Sequence, residues 1–228
     1  MSFALVMFWQ GGAALTEAGR GRLRALLGGL AGVDRSILYT PARASDLYTD
    51  DGAGPTLGVQ IEAPSLEALE AACAADGALQ ALADPDFLPE LAGAQADQQM
   101  FVLRRYPVDE AQMQTPAGEM PCSYVVHYPG PAQDYNAWMT HYIAGHPPIM
   151  RRFPGIRGIE ILTRCDWISA LPFARAGHMQ RNRVLFDSPA ALTAALHSPV
   201  RHEMRADFHT FPPFEGGNYH FPMSTEVV

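Results

Sequence analysis

Two stretches about 125 residues apart (183 against 58) read alike. Gly58-Val59-Gln60-Ile61-Glu62-Ala63-Pro64-Ser65 and Arg183-Val184-Leu185-Phe186-Asp187-Ser188-Pro189-Ala190 are each a strand-like run, an acidic residue, a small residue and a proline opening a helix. The same order of elements recurs around both. In the first half, Phe3–Trp9 reads as a strand. Ala14–Leu30 carries Leu15, Leu23, Leu26, Leu27 and Leu30 at helical spacing. Ser36–Thr40 and Leu57–Ala63 are strand-like, with a Pro/Asp/Gly loop from Pro41 to Pro55 between them. Ser65 caps an amphipathic helix, and Met100–Arg104 closes the unit. In the second half, Ser123–Tyr128 is a strand and Asp134–Arg152 a helix interrupted near Gly145. Gly158–Thr163 and Arg183–Asp187 are strands, Ala190–Phe208 a helix and Gly217–Phe221 the last strand.

The repeated order βαββαβ is that of ferredoxin-like folds. Such a sheet carries helices on one face only, so its other face must be covered, and a second sheet can cover it. The expectation is an α+β chain of two ferredoxin-like repeats, residues 1–108 and 122–228, joined through Pro107–Pro121. Together they form an α/β barrel, an intramolecular pseudo-dimer that can pair further into a homodimer. The match between the two orders favours a tandem duplication.

Composition removes several kinds of function. All 16 basic residues are arginine, which excludes a catalytic lysine, a lysine Schiff base and a P-loop lysine. A formal charge of −8 with no basic stripe speaks against nucleic acid. Cys73, Cys122 and Cys165 are odd in number and form no CxxC pair, which suits reduced thiols and a cytoplasmic location. The apolar start, Phe3–Trp9, lacks a basic flank and reads as a buried strand rather than a signal peptide. No run approaches the ~20 apolar residues that cross a bilayer, so no membrane partner is expected.

The most informative run is Asp134-Tyr135-Asn136-Ala137-Trp138-Met139-Thr140-His141-Tyr142, followed by Gly145-His146-Pro147-Pro148 and Phe153-Pro154-Gly155-Ile156-Arg157-Gly158. An aromatic, a tryptophan three residues on, a histidine, a His-Pro and a Pro-Gly leading into a strand resemble the EthD (ethyl tert-butyl ether degradation) family of dimeric α/β barrels. The resemblance covers Tyr124–Phe221, and its specific part is Tyr124–Ile161. The first half lacks the pattern: all eight histidines lie at or beyond His127. This asymmetry suggests that the second half carries the site and the first half serves as a wall or lid.

Histidine exchanges protons near neutral pH, so His146 is the first candidate acid/base, with His141 as its assistant, at a barrel mouth. Trp138, His141 and Tyr142 are three and four residues apart and share a helix face. With Tyr135 they are candidate contacts for a planar substrate. A competing reading makes the run a packing motif, with Trp138 and Tyr142 in the core and His146 bonded to backbone. The segment Arg164–Arg181 is longer than the short turn expected there, and long loops are often functional. It supplies Trp167, His178 and Arg181, which could close over a ligand; it could equally be an exposed excursion. His127, near a strand end, is a further catalytic candidate, and Arg157 or Arg181 could hold an anionic group. His197, His202 and His209 read as solvated helix positions.

His141-x4-His146 and His197-x4-His202 lack the spacing that puts two metal ligands on one helical face, so no metal is expected. Dinucleotide and serine-hydrolase motifs are absent. No motif demands haem, although related α/β barrels include haem proteins. The resemblance implies a cofactor-independent enzyme acting on a small aromatic, lactone or polyketide-like metabolite. Its chemistry would be histidine-mediated proton transfer leading to isomerisation, dehydration, cyclisation or decarboxylation. A cofactor-free monooxygenase and a non-catalytic binding or accessory protein are the alternatives.

Overall fold

A computed structural model describes residues 2–228; Met1, the first residue of the expected first unit, lies outside them. The elements in chain order are β1 (Ser2–Gln10), α1 (Glu17–Gly28), β2 (Arg35–Pro41), β3 (Leu57–Ala63), α2 (Leu66–Cys73) and β4 (Gln95–Tyr106). Then follow β5 (Cys122–Tyr128), α3 (Tyr135–Met150), β6 (Ile156–Arg164), β7 (Ala174–Arg175), β8 (Gln180–Phe186), α4 (Pro189–Leu196), α5 (Pro199–Phe208) and β9 (Tyr219–Val227).

Eight of the strands close into an antiparallel barrel in the order β1-β3-β2-β9-β5-β8-β6-β4, with β4 returning to β1. Each half contributes four strands in the same internal order: fourth, first, third, second. The halves meet at β2–β9 and β4–β6. Closure leaves no long unpaired strand edge.

Strand alternation divides the apolar residues into an inner and an outer set. Ala4, Val6, Phe8, Ile37, Tyr39, Phe101, Leu103, Val125, Leu162, Phe221 and Met223 fill the middle of the barrel. The barrel is therefore packed rather than a channel. On the outside, α1 and α2 cover the first half over a core rich in leucine, including Leu23, Leu27, Leu69, Leu79 and Leu91. The second half's outer core contains Tyr124, Tyr128, Trp138, Tyr142 and Phe186. Helix α2 is capped as its sequence predicts, with the Ser65 hydroxyl accepting from the Ala68 N–H at 3.2 Å.

Three local expectations are corrected. The helix expected to break near Gly145 runs unbroken to Met150, with Pro147 and Pro148 inside it. Two prolines near the end cost few hydrogen bonds. The buried stripe Trp138, Tyr142, His146 and Met150, four residues apart along one face, holds the helix against the sheet. The single helix expected over Ala190–Phe208 is two, α4 and α5. Pro199 at the first turn of α5 disfavours a helical Ser198 and starts a new helix. The 164–181 segment is anchored to the first half: Trp167 and Leu171 join the core there, and the Ala170 N–H donates to the Cys73 carbonyl at 3.0 Å. Among the described residues, no helix is long and apolar enough to cross a membrane.

Candidate functional site

The α3 stripe faces the outer surface of β5 and β8, where Tyr124, Val126, Tyr128, Asn182, Val184 and Phe186 alternate outward. Leu196 of α4, Arg201, Met204, Arg205 and Phe208 of α5, and His220 of β9 close the space. The cavity is about 50 Å³, room for one or two waters. Its importance lies in the polar groups that converge on it.

His146 is 4% exposed, and its Nδ1 lies 2.6 Å from Asp207 Oδ2. Gly145 makes this approach possible, because a Cβ there would stand 3.1 Å from Asp207 Oδ1. Burial pushes the imidazole below its ordinary value of 6.5, and the Asp207 carboxylate partly opposes that shift. A neutral ring with Nδ1–H held by Asp207 leaves Nε2 as the nitrogen that can take a proton. Four residues earlier on α3, the Tyr142 hydroxyl accepts from the Asn182 amide, whose Oδ1 accepts from Gln180 Nε2 at 2.9 Å. Burial raises the Tyr142 and Tyr128 phenols well above their usual range, so both stay protonated.

The first half reaches across to complete the site. Asp46, on the loop between β2 and β3, accepts from Arg201 Nε at 2.9 Å, from Arg201 Nη2 at 2.9 Å and from the Tyr124 hydroxyl at 2.7 Å. Burial alone would raise the Asp46 carboxyl, but Arg201 and Tyr124 hold it below the ordinary carboxylate range. Asp51 on the same loop lies 2.9 Å from His220 Nδ1 and is held low by that bond, which outweighs its burial. His220 in turn stacks on Tyr124, with ring centroids 5.3 Å apart.

Among the residues singled out from sequence, His146 lines this cavity and Tyr142 and Trp138 form the wall behind it. Trp138 is fully buried, stacked on Tyr142 at 5.1 Å and edge-on to Tyr128 at 5.3 Å. His141, five residues from His146, falls on another helix face, where it meets Thr210 Oγ1 at 2.9 Å and the ring of Phe211. Tyr135 lies under the Arg164 guanidinium at 4.5 Å. The helices cover the outside of the sheet, so no α3 residue faces the barrel interior, and the expected barrel-mouth histidine is instead a sheet–helix histidine.

His127 and Arg181 are cross-strand partners inside the barrel, at the end opposite the β5 N-terminus. There Arg181 Nη2 donates to Asp97 Oδ1 at 3.1 Å, and His178 packs on His127 at 5.2 Å. Burial and Arg181 push His127 far down and His178 to about 3. Arg157 is tied to Asp187 at 2.8 Å and to Glu110 at 2.9 Å. Trp167 is stacked under Arg175 at 3.6 Å, on the first half.

Asp207, Arg201, His220, Asp46 and Asp51 were not singled out from sequence. Their pairings join residues up to 169 positions apart, beyond any local pattern. One signal was available: Arg201 occupies the 201/204/205/208 stripe of α5, where an apolar residue would otherwise be expected. Among the described residues, no three His, Cys, Asp or Glu side chains are grouped to hold a metal ion.

Comparison with known proteins finds likeness in structure alone. No protein-family model matches the chain, and no curated protein matches it by sequence. An anthrone oxidase-like protein superposes with a TM-score of 0.62 at 14% identity, over 100% of this chain and 92% of its own. A protein from Lactobacillus acidophilus NCFM, provisionally described as a monooxygenase, gives 0.54 at 10% identity, over 100% and 95%. An EthD family protein from Bacillus halodurans covers 48% of this chain and 97% of its own at 19% identity; its TM-score of 0.34 carries no weight by itself. The fold is that of the dimeric α/β barrels, as the EthD resemblance implied.

Proposed function

We propose that the chain is a small-molecule enzyme in which His146 removes a proton from a planar, phenol- or anthrone-like substrate in the cavity between α3, α5 and the second half's sheet. The observation that carries this reading is the buried His146–Asp207 pair at 2.6 Å on an aromatic wall. A neutral imidazole oriented by a carboxylate is the arrangement general-base chemistry needs, with Asp207 stabilising the imidazolium that forms. Arg205 lines the same cavity and forms no ion pair among the described residues; it would balance the negative charge left on the substrate. Tyr142 and Tyr128, both protonated, would supply neutral dipoles and a flat surface. Substrate binding requires α5 to move outward, because the space is too small for a ring system as it stands.

The structural likenesses favour oxidation over isomerisation as the outcome of proton removal. The carbanion from an activated CH2 group would pass its electrons to molecular oxygen, giving a hydroperoxide. Loss of water then leaves a ketone, so that CH2 and O2 become C=O and H2O. This chemistry is proposed to need no bound cofactor. We also read the shared strand order of the halves as a ferredoxin-like unit duplicated in tandem, residues 1–108 and 122–228.

Oxygen-electrode assays with anthrone, whose ring carries such a CH2 group, test the reaction. Oxygen uptake matched by ketone formation supports it. Conversion without oxygen uptake would restore the isomerase or lyase reading. The small cavity favours one further alternative, a non-catalytic binding protein, which tight binding of anthrone without conversion would support.

A further inference from the structure

The far end of the barrel from His127 holds a second cavity that the proposed reaction does not use. It is a cleft of about 800 Å³ between the 107–121 linker and the barrel mouth, and it shares no lining residue with the His146 cavity. Clefts of this volume at the mouths of barrels are a common setting for small-molecule binding.

The floor of the cleft is charged. Glu62 of β3 and Glu160 of β6 are 1% and 4% exposed. Arg35 donates to both, at 2.7 Å to Glu62 Oε1 and 2.6 Å to Glu160 Oε1. Arg183 reaches Glu160 at 2.9 Å, Arg105 pairs with Glu62, and Gln60 Nε2 donates to both carboxylates at 2.8 and 3.0 Å. The other charges lining the cleft are balanced elsewhere: Arg157 by Asp187 and Glu110, and Glu226 by Arg20 and Arg24. Three guanidinium groups therefore face two saturated carboxylates. The surplus positive charge sits on the accessible members, Arg105 and Arg35, whose side chains are 48% and 31% exposed. Arg183, which burial would weaken, is held charged by Glu160, and the arginines hold Glu160 down at about 2, so the surplus persists at neutral pH. In a chain of net charge −8 this is a local reversal of sign.

The walls are apolar: Val108, Met113 and Met120 on the linker side, Ile159 and Leu185 on the barrel side. Methionine adapts to irregular apolar shapes. We propose that this cleft is a second ligand site, for an amphipathic monocarboxylate whose head group pairs with Arg105 and Arg35 and whose apolar body lies along the methionine-lined linker. A carboxylate meeting guanidinium can form paired, charge-assisted hydrogen bonds, which a neutral head group cannot.

Isothermal titration of the full chain with decanoate, and with decanol as the uncharged comparison, tests this. Decanoate should bind at least about tenfold more tightly than decanol, and Arg105→Gln should remove that preference. His146→Gln should leave decanoate binding unchanged, which separates this site from the proposed catalytic cavity. Met113→Asp places a like charge on the linker without touching the arginine network, and should weaken decanoate at least about tenfold. That variant keeps the test open if Arg105→Gln does not fold. Equal binding of decanoate and decanol, or unchanged decanoate binding by Met113→Asp, overturns the proposal. So does a dimer in sedimentation that Met120→Glu dissolves while decanoate fails to bind, since the cleft would then be an interface.

Discussion

The two halves of the barrel share a strand order and differ in what fills the space between sheet and helices. Over the first half, the outward residues of β3 are Leu57, Val59, Ile61 and Ala63, all buried against leucines of α1 and α2. Over the second, the outward residues of β8 are Gln180, Asn182, Val184 and Phe186, facing Tyr142 and His146. The repeated motif aligns Leu57 with Asn182. One side is thus a closed hydrocarbon core, and the other keeps a polar row and a small cavity at the same layer. Two halves with one strand order can hold different cores, because apolar packing needs no polar partners while a buried histidine needs several.

The strongest way to break this contrast is to transplant the polar group. Leu57→Asn loses a buried side chain and buries an unpartnered amide, and should cost roughly 3–5 kcal/mol in urea unfolding. Asn182→Leu should cost distinctly less, because the second half already tolerates incomplete packing. Equal costs would mean that the halves are not differentiated. Next in size, His146→Gln should lower kcat/KM by about 10²–10⁴ once a substrate is in hand, while His141→Ala, outside the cavity, should leave it nearly unchanged.

Asp207→Asn sharpens the role of the pair. Burial already holds His146 below 6.5 and Asp207 opposes that shift. The acid limb of kcat/KM should therefore lie below pH 6.5 in the native protein and move lower still in the variant, with a reduced plateau. An acid limb that moves upward would contradict the electrostatic account. Gly145→Ala is gentler: its methyl would press on the Asp207 carboxylate and displace it by tenths of an ångström, so a loss within about tenfold is expected. The smallest effect concerns stability. His127 and His178 are held neutral in the fold, so the unfolded chain takes up their protons first. Stability should decline as pH falls from 6.5 towards about 3, and Gln at either position should flatten that decline.

Much of this contrast was legible in the sequence, for reasons that differ by residue. The strand–acid–Pro motif located β3 and β8 and the starts of α2 and α4, because strand alternation, N-caps and helix-opening prolines are local. The confinement of histidine to the second half pointed to the side that holds the polar cavity. The unbroken α3 was not legible, since its prolines are overruled by burial of Trp138, Tyr142, His146 and Met150 against a sheet assembled from distant segments. The partners of His146 and His220 were not legible either. Asp207 comes from a helix whose start depends on Pro199, and Asp51 from a loop of the other half. Helical periodicity did place His141 with Trp138, but three- and four-residue spacing cannot say which edge of a face meets the sheet.

The central claim is that His146, oriented by Asp207, is the proton acceptor of the second half's cavity. Nitrogen-15 resonance titration of the His146 ring, with and without added anthrone, tests it most directly. The account predicts a neutral ring protonated at Nδ1, a midpoint below 6.5, and an Nε2 signal that moves when the ligand binds. A midpoint at the ordinary histidine value, with a ring that does not respond to the ligand, would contradict it.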